Sequence, residues 1–183
     1  MAAVTDRGEL TGARPLCERL YGDLVWSRPG LFSRELRLEA GSELLAVLRW
    51  ERVLSFEAVA ETGDGRWNIG RHRTGSLLGQ VVVRDAGTRA EVATHTHSWR
   101  GTGVTRFASG AEFKWVREGF WRPTYFWSSD RQPQIIGFKR VVGWKRSVEM
   151  QVDPAAHGLA ELPVLVLLGA YLMAMAAARS HAH

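Results

Sequence analysis

Near its C-terminus the 183-residue chain reads Leu162-Pro-Val-Leu-Val-Leu-Leu-Gly-Ala-Tyr-Leu-Met-Ala-Met-Ala-Ala-Ala178, 17 residues without a single charge. Pro163 falls in the first turn of a predicted helix, where its missing N–H is tolerated. The Leu, Ala and Met residues beyond it are strong helix formers. The resulting helix is apolar on every face, so every face needs a cover other than water.

Two covers are available for this helix, lipid or protein. At about 1.5 Å per residue the run spans roughly 26 Å, the short limit of what crosses a ~30 Å hydrocarbon core. Gly169 and the alanines make the helix slim, Glu161 lies two residues before Pro163, and no aromatic belt flanks the run. These details favour burial inside the protein. A tail-anchored membrane protein with a cytosolic β domain is the alternative.

The chain before this helix has the composition of many short strands. Residues 23–152 are rich in Val, Thr, Phe and Trp, are interrupted by Gly, Asp-Gly and Pro, and lack sustained helical periodicity. Three hairpins are predicted at Thr62-Gly-Asp-Gly65, Asp85-Ala-Gly87 and Ser109-Gly110. The pattern gives roughly ten to twelve strands in an all-β domain.

Strand number and helix together predict the fold. A closed barrel of about eight strands is filled by its own side chains, whereas one of about eleven can enclose a helix about 10 Å across. We therefore predict a closed β-barrel of roughly 12 strands around one hydrophobic helix at about residues 155–179. Residues 1–22 are predicted to be a flexible lead-in to this single domain, which covers 23–183.

A helix inside a meander of strands resembles the tubby C-terminal-like superfamily, which includes phospholipid scramblase-like and LURP-one-related proteins. The resemblance covers about residues 23–178 and depends on the strand pairs around Glu39-Ala-Gly-Ser-Glu-Leu-Leu45 and Arg84-Asp-Ala-Gly-Thr-Arg-Ala-Glu-Val-Ala93, with the C-terminal helix. It implies a non-catalytic binding module whose partner is an anionic phospholipid. The tubby signature and the Cys-rich and Pro-rich segments of animal scramblases are missing, so lipid scrambling is assigned to no residue.

Charge points to the same kind of partner. The chain has 24 Lys and Arg against 19 Asp and Glu, a net +5, and no acidic residue lies between Asp130 and Glu149. We predict that anionic headgroups or phosphates are bound there by charge, with an aromatic ring at the interface; the candidate residues are Lys139, Arg140, Trp144, Lys145 and Arg146. Since Lys139 and Arg140 are neighbours on a strand, they point to opposite faces, and the cations cannot all share one patch. The alternative is a solvated barrel exterior whose charges protect strand edges.

A second candidate is His95-Thr-His97, because alternation along a strand places both imidazoles on one face. A cupin-like metal site would add an acidic residue three or four positions later, but residues 100–102 are Arg-Gly-Thr. We predict no metal and interpret the pair as polar side chains on an outer sheet face. A metal-dependent barrel enzyme that uses His95 and His97, with His72 as a further ligand, is kept as a third hypothesis.

Other classes find little support in the sequence. There is no phosphate-binding loop, nucleophile elbow or acid–base carboxylate pair, so no catalytic residue and no cofactor are predicted. The eight Trp residues are interpreted as barrel lining and rim, which does not favour nucleic acid as a partner. Cys17 is the only cysteine and the N-terminus has no long apolar run. We predict a cytoplasmic location, with attachment to a membrane surface as part of the lipid-binding hypothesis.

Overall fold

The structure, a computed structural model, is described for Leu10 and for residues 13–30, 33–51, 56–72, 79–98, 101–119, 123–141 and 147–179. In these residues twelve antiparallel strands close into one barrel, and an α-helix follows them. The strands are β1 (Leu24–Ser27), β2 (Glu35–Ala40), β3 (Glu43–Trp50), β4 (Ala58–Thr62), β5 (Gly65–His72), β6 (Gln80–Asp85), β7 (Glu91–His97), β8 (Gly103–Phe107), β9 (Glu112–Glu118), β10 (Thr124–Ser128), β11 (Ile136–Val141) and β12 (Ser147–Val152). The helix, α1, is Leu162–Arg179. The predicted fold is confirmed.

Each strand pairs with its neighbours in sequence, and β1 pairs with β12 to close the barrel. Two-residue turns fix the register where Ala40 lies opposite Glu43 and where Thr62 lies opposite Gly65. Side chains along each strand then alternate between the inside and the outside of the barrel. In β2, for example, Leu36 and Leu38 are buried and their neighbours are not.

The helix α1 runs inside the barrel, and residues 162–173 are all buried. The indole Nε1 of Trp127 donates to the carbonyl of Leu165 at 2.8 Å, which ties the wall to the helix. A Cβ on Gly169 would lie 2.3 Å from Cζ of Phe138, so only glycine lets this ring lie against the helix. The helix is thus covered by protein rather than lipid, and it begins at Leu162, after a separate 3₁₀ helix at Pro154–Gly158. Within the described residues, no helix combines the length and the hydropathy that are needed to span a membrane.

The N-terminal segment is packed where the sequence predicted a flexible lead-in up to residue 22. Leu16 and Leu20 are 0% and 3% exposed and belong to the core. The amide of Leu16 donates to Asp64 at 2.8 Å, and the amide of Leu10 donates to buried Glu61 at 3.0 Å. The prediction failed here because isolated leucines among Gly, Pro and charged residues give no strand or helix pattern. Residues 13–20 therefore belong to the domain.

Strand direction alternates round the barrel, so successive connections lie at opposite ends. We call one end the base: it is formed by the turns 41–42, 63–64, 86–90, 108–111 and 129–135, with residues 13–20 and Pro154–Gly158. We call the other end the mouth: it is formed by the segments 28–34, 51–57, 73–79, 98–102, 119–123 and 142–146. The helix starts at the base, where Ser109 donates to Glu161 at 2.9 Å, and ends at the mouth, where the Tyr171 hydroxyl donates to the carbonyl of Phe56.

Candidate functional site

The six segments of the mouth share a composition of cations and large apolar side chains. Parts of them lie outside the described residues, so their composition is read from the sequence, and the end at which they lie follows from the strands that they join. They contain eight Lys and Arg against two Glu, a net +6: Arg28, Arg34, Arg52, Arg73, Arg100, Arg122, Lys145 and Arg146 against Glu51 and Glu57. They also contain twelve large apolar residues: Leu31, Phe32, Val53, Leu54, Phe56, Leu77, Leu78, Trp99, Phe120, Trp121, Val142 and Trp144.

The five turns of the base have neither property. Two basic residues, Arg89 and Arg131, balance two acidic residues, Asp64 and Asp130. The one large apolar residue in these turns, Ile135, is 1% exposed and belongs to the core. Since both ends must satisfy the same barrel geometry, closing the barrel does not by itself account for the composition of the mouth.

The described part of the mouth exposes apolar surface. Phe56 is 49% exposed and Val141, the last residue of β11, is 36% exposed. Along α1, residues 174–177 are half-buried and Ala178 is exposed. Arg28 and Arg34, in the mouth segment 28–34, are also exposed, so the mouth combines cations with accessible apolar surface.

The two described residues of the predicted anion site lie on opposite faces of β11, as alternation required. Lys139 and Arg140 are both exposed, and Lys139 lies directly opposite Glu149 of β12 in the sheet register. Phe138 on the same strand points inward onto α1. Arg140 shares that inward direction and therefore reaches over the mouth, whereas Lys139 lies on the outer wall beside a carboxylate. Trp144, Lys145 and Arg146 lie outside the described residues, in the mouth segment 142–146.

Arg140 contacts the mouth half of the central helix, six residues before the helix ends at Arg179. Its Nη2 donates to the carbonyl of Met173 at 3.3 Å. The contact places a guanidinium next to the apolar last turns of α1, so charge and apolar surface meet at one point of the mouth.

The carboxylate of Glu35, at the mouth end of β2, is held between two arginines. It accepts a hydrogen bond from Nε of Arg49 at 2.6 Å and another from Nε of Arg37. Partial burial raises the pKa of Glu35, but the hydrogen bonds and charges of Arg49 and Arg37 outweigh burial and hold the pKa below its ordinary value. This acidic group is therefore ionised and compensated at neutral pH.

The histidine pair lies inside the barrel, and the prediction of an outer sheet face was wrong. His95 is 0% exposed, with Nδ1 2.9 Å from Oγ1 of Thr105 and Nε2 3.3 Å from Nδ1 of His97. Its ring meets Trp127 edge-on with centroids 5.9 Å apart. Burial, with the nearby His97 as a smaller cause, lowers the pKa of His95 to about 3, so the imidazole is neutral at pH 7.

The metal hypothesis lacks a third ligand. His72 is exposed on β5 and, through the register with Gln80, shares the outward face of Thr96, opposite to the face of His95. Over the described part of the chain, no three His, Cys, Asp or Glu side chains are placed to hold a metal ion. A Cβ on Gly103 would lie 2.5 Å from Cε1 of His95, so this glycine makes room for the imidazole. The pair is accounted for by packing.

The tryptophans line the barrel as predicted, where they are described. Trp26, Trp67, Trp115 and Trp127 are buried, and the rings of Trp115 and Trp127 are 4.6 Å apart. Trp99, Trp121 and Trp144 lie outside the described residues, in segments of the mouth. The other mouth segments were not predicted because their cations form no continuous run in the sequence. They come together only when alternate connections between the strands are compared.

Comparison of the chain with known protein families, curated proteins and solved structures found no match. The resemblance to the tubby C-terminal-like superfamily therefore stays a prediction.

Proposed function

We propose that this protein is a non-catalytic binding module that attaches to anionic phospholipid headgroups at a membrane surface through the mouth of its barrel. The observation that supports this is the difference between the ends, with a net +6 and twelve large apolar residues in the mouth segments, against no net charge and one buried apolar residue in the base turns. The predicted residues Lys145, Arg146 and Trp144 belong to the mouth, and Arg140 reaches over it.

The physical basis is the field of an anionic leaflet. Each Lys or Arg close to such a surface contributes about 1 kcal/mol of attraction, which falls off within a Debye length. A net +6 on one face is therefore sufficient for reversible attachment and for a fixed orientation. Large aromatic side chains favour the headgroup region, where one end of the ring meets water and the other meets acyl chains. The cytoplasmic leaflet carries this charge, which agrees with the proposed cytoplasmic location.

Sedimentation with phospholipid vesicles tests the proposal. The full chain should bind vesicles of phosphatidylcholine mixed with phosphatidylserine, should not bind phosphatidylcholine alone, and should bind less as salt is raised. Lys145→Glu with Arg146→Glu changes four units of charge and should weaken binding by about 100-fold or more. Arg28→Glu with Arg34→Glu, a second pair in the mouth, should have a similar effect.

The matched control is charge reversal at the base. Arg89→Glu with Arg131→Glu changes the net charge equally, at two exposed positions, and should leave binding within about threefold because these residues face away from the membrane. If charge reversal at the base weakened vesicle binding as much as charge reversal at the mouth, net charge alone would drive binding. That result would overturn the assignment of the binding site to the mouth. Binding of single-stranded RNA without any binding of vesicles would overturn the proposal itself.

A further inference from the structure

We infer that the protein docks end-on, so that the exposed apolar side chains of the mouth and the last turn of α1 enter the interfacial layer of the bilayer. This inference rests on the proposed function and adds the orientation and depth of the bound protein. It predicts that attachment has an apolar part besides the electrostatic one. The observations that support the apolar part come from described residues.

The first support is the location of exposed apolar groups. In the described ranges three large hydrophobic residues are exposed, and two of them, Phe56 and Val141, lie at the mouth. Tyr21 lies at the base, but its ring is 4.8 Å from that of His157 and its hydroxyl suits contact with water. Phe56 has the guanidinium of Arg71 over its ring, 5.8 Å from the centroid, so cation and apolar surface are already in contact at the mouth. In the described ranges, exposed large aliphatic or phenyl side chains are therefore a property of the mouth.

The second support is the length of the helix. With 18 residues α1 is roughly 27 Å long. The longest strands, β3 and β5, have 8 residues and, tilted by about 40°, rise roughly 20 Å along the barrel axis. Because the helix starts at the base, its excess length emerges at the mouth, and exposure increases from Met173, which is buried, to Ala178, which is exposed. The emerging residues 174–178 are Ala and Met, which suit an apolar environment, and the cationic residue Arg179 ends the helix.

The third support is that the outer wall does not offer such a surface. Its charges have both signs and form pairs. Arg84 pairs with Glu91 and Arg106 with Glu112 between neighbouring strands, and Lys114 of β9 pairs with Asp130 in the turn after β10. Apart from Val141, at the edge of the mouth, no large hydrophobic residue of a described strand is exposed. A membrane that met the wall would desolvate ion pairs and gain little apolar contact. End-on docking avoids this desolvation.

Fluorescence at single cysteines tests the orientation. Cys17 is the only cysteine, so Cys17→Ser gives a background in which one environment-sensitive fluorophore, nitrobenzoxadiazole, can be attached at a chosen site. The mouth sites are Val141→Cys and Ala178→Cys, the wall site is Asn68→Cys, and the base site is Ala108→Cys; all four positions are exposed. The vesicles contain phosphatidylserine with either ordinary or brominated phosphatidylcholine, and bromine quenches only labels within the acyl region.

End-on docking predicts a blue shift and quenching by brominated lipid at positions 141 and 178, and neither change at 68 and 108. Two mouth sites are used so that one poorly folded variant does not remove the test. Quenching at position 68 without quenching at the mouth would show side-on binding and overturn the inference. Bound protein with no quenching anywhere, fully released by high salt, would leave the proposed function intact and overturn only the penetration. Failure of the unlabelled protein to sediment with vesicles would overturn both.

Discussion

At the base of the barrel, five turns of two to seven residues, a packed N-terminal segment and the 3₁₀ helix Pro154–Gly158 close the fold, whereas the six mouth segments, of five to seven residues, are rich in cations and large apolar residues in the sequence. The base buries Leu16, Leu20 and Ala156 to 3% exposure or less and hydrogen-bonds its segment to Asp64. The mouth leaves Phe56 half in solvent. The same barrel thus has one end that is built like a core and one that is built like a binding surface.

This difference between the two ends indicates which substitutions should change stability and which should change binding. Exposed apolar residues contribute little to folding, so their presence in the mouth needs another reason, of which binding is the simplest. Buried leucines at the base contribute about 1.5–3 kcal/mol each. Substitutions at the base should therefore change unfolding, and substitutions at the mouth should change vesicle binding.

The largest effect that we expect concerns acid, through His95 in the mouth half of β7. Its pKa is about 3 in the folded protein and near 6.5 when unfolded, so between these pH values only the unfolded state binds the proton. Stability should fall by about 1.4 kcal/mol per pH unit below 6.5, approaching the order of 5 kcal/mol at pH 3. Urea unfolding at pH 7, 6 and 5 would measure the first part of this slope, above the range in which most carboxylates titrate.

His95→Gln is the control for this prediction and should flatten the dependence between pH 6.5 and 5. His97→Gln should keep most of this pH dependence of stability, because burial is the larger cause of the low pKa of His95. Equal slopes in the parent protein and His95→Gln would show that other groups cause the acid sensitivity. Hydrogen exchange should locate the first opening in β7 and β8 rather than at the base.

The next effect separates the two ends directly. Leu16→Ala removes a side chain that is 0% exposed at the base and should lower the free energy of unfolding by about 2–4 kcal/mol. Phe56→Ala at the mouth should lower it by less than about 1 kcal/mol, since half of the ring already meets water. Vesicle sedimentation should show the reverse order, with weaker binding for Phe56→Ala alone. A Phe56 variant that unfolds more readily than the Leu16 variant would contradict this division.

A smaller effect tests how the helix is held between the two ends. Gly169→Ala adds a Cβ that would lie 2.3 Å from the ring of Phe138, and this overpacking should destabilise the protein by about 1–3 kcal/mol. Gly158→Ala, with no atom near the added Cβ, should be within about 0.5 kcal/mol of the parent. Adding Phe138→Leu should recover part of the loss in thermal unfolding. Without such recovery, the Phe138 contact is not what requires the glycine.

Most of this fold could be predicted because its signals are local. Turn residues at Gly63 and Asp64 separate strands of alternating pattern, and a run of uncharged residues with a glycine in its middle is typical of a helix that needs a close cover. Two features could not be predicted. Leu16 and Leu20 make contacts with residues far away in sequence, and alternation around His95 defines two faces of a strand without saying which one faces inward.

The candidate site illustrates the same limit. The positive charge between Asp130 and Glu149 forms one continuous run in the sequence. Lys139 and Arg140 were therefore predicted to belong to one binding site, although their side chains point in opposite directions. The mouth is visible only after every second connection of the barrel is placed at one end. A surface assembled from six distant segments leaves no continuous signal in the chain, and topology is needed to collect it.

The smallest effect compares these two cations. Arg140→Gln removes one charge at the mouth and should weaken vesicle binding about fivefold, the equivalent of about 1 kcal/mol. Lys139→Gln removes one charge from the outer wall, opposite Glu149, and should weaken binding by no more than about twofold. Vesicle sedimentation at fixed salt measures both, with thermal unfolding to check that each variant is folded. A greater loss for Lys139→Gln than for Arg140→Gln would mean that the membrane meets the wall of the barrel, since the two side chains leave the same strand in opposite directions.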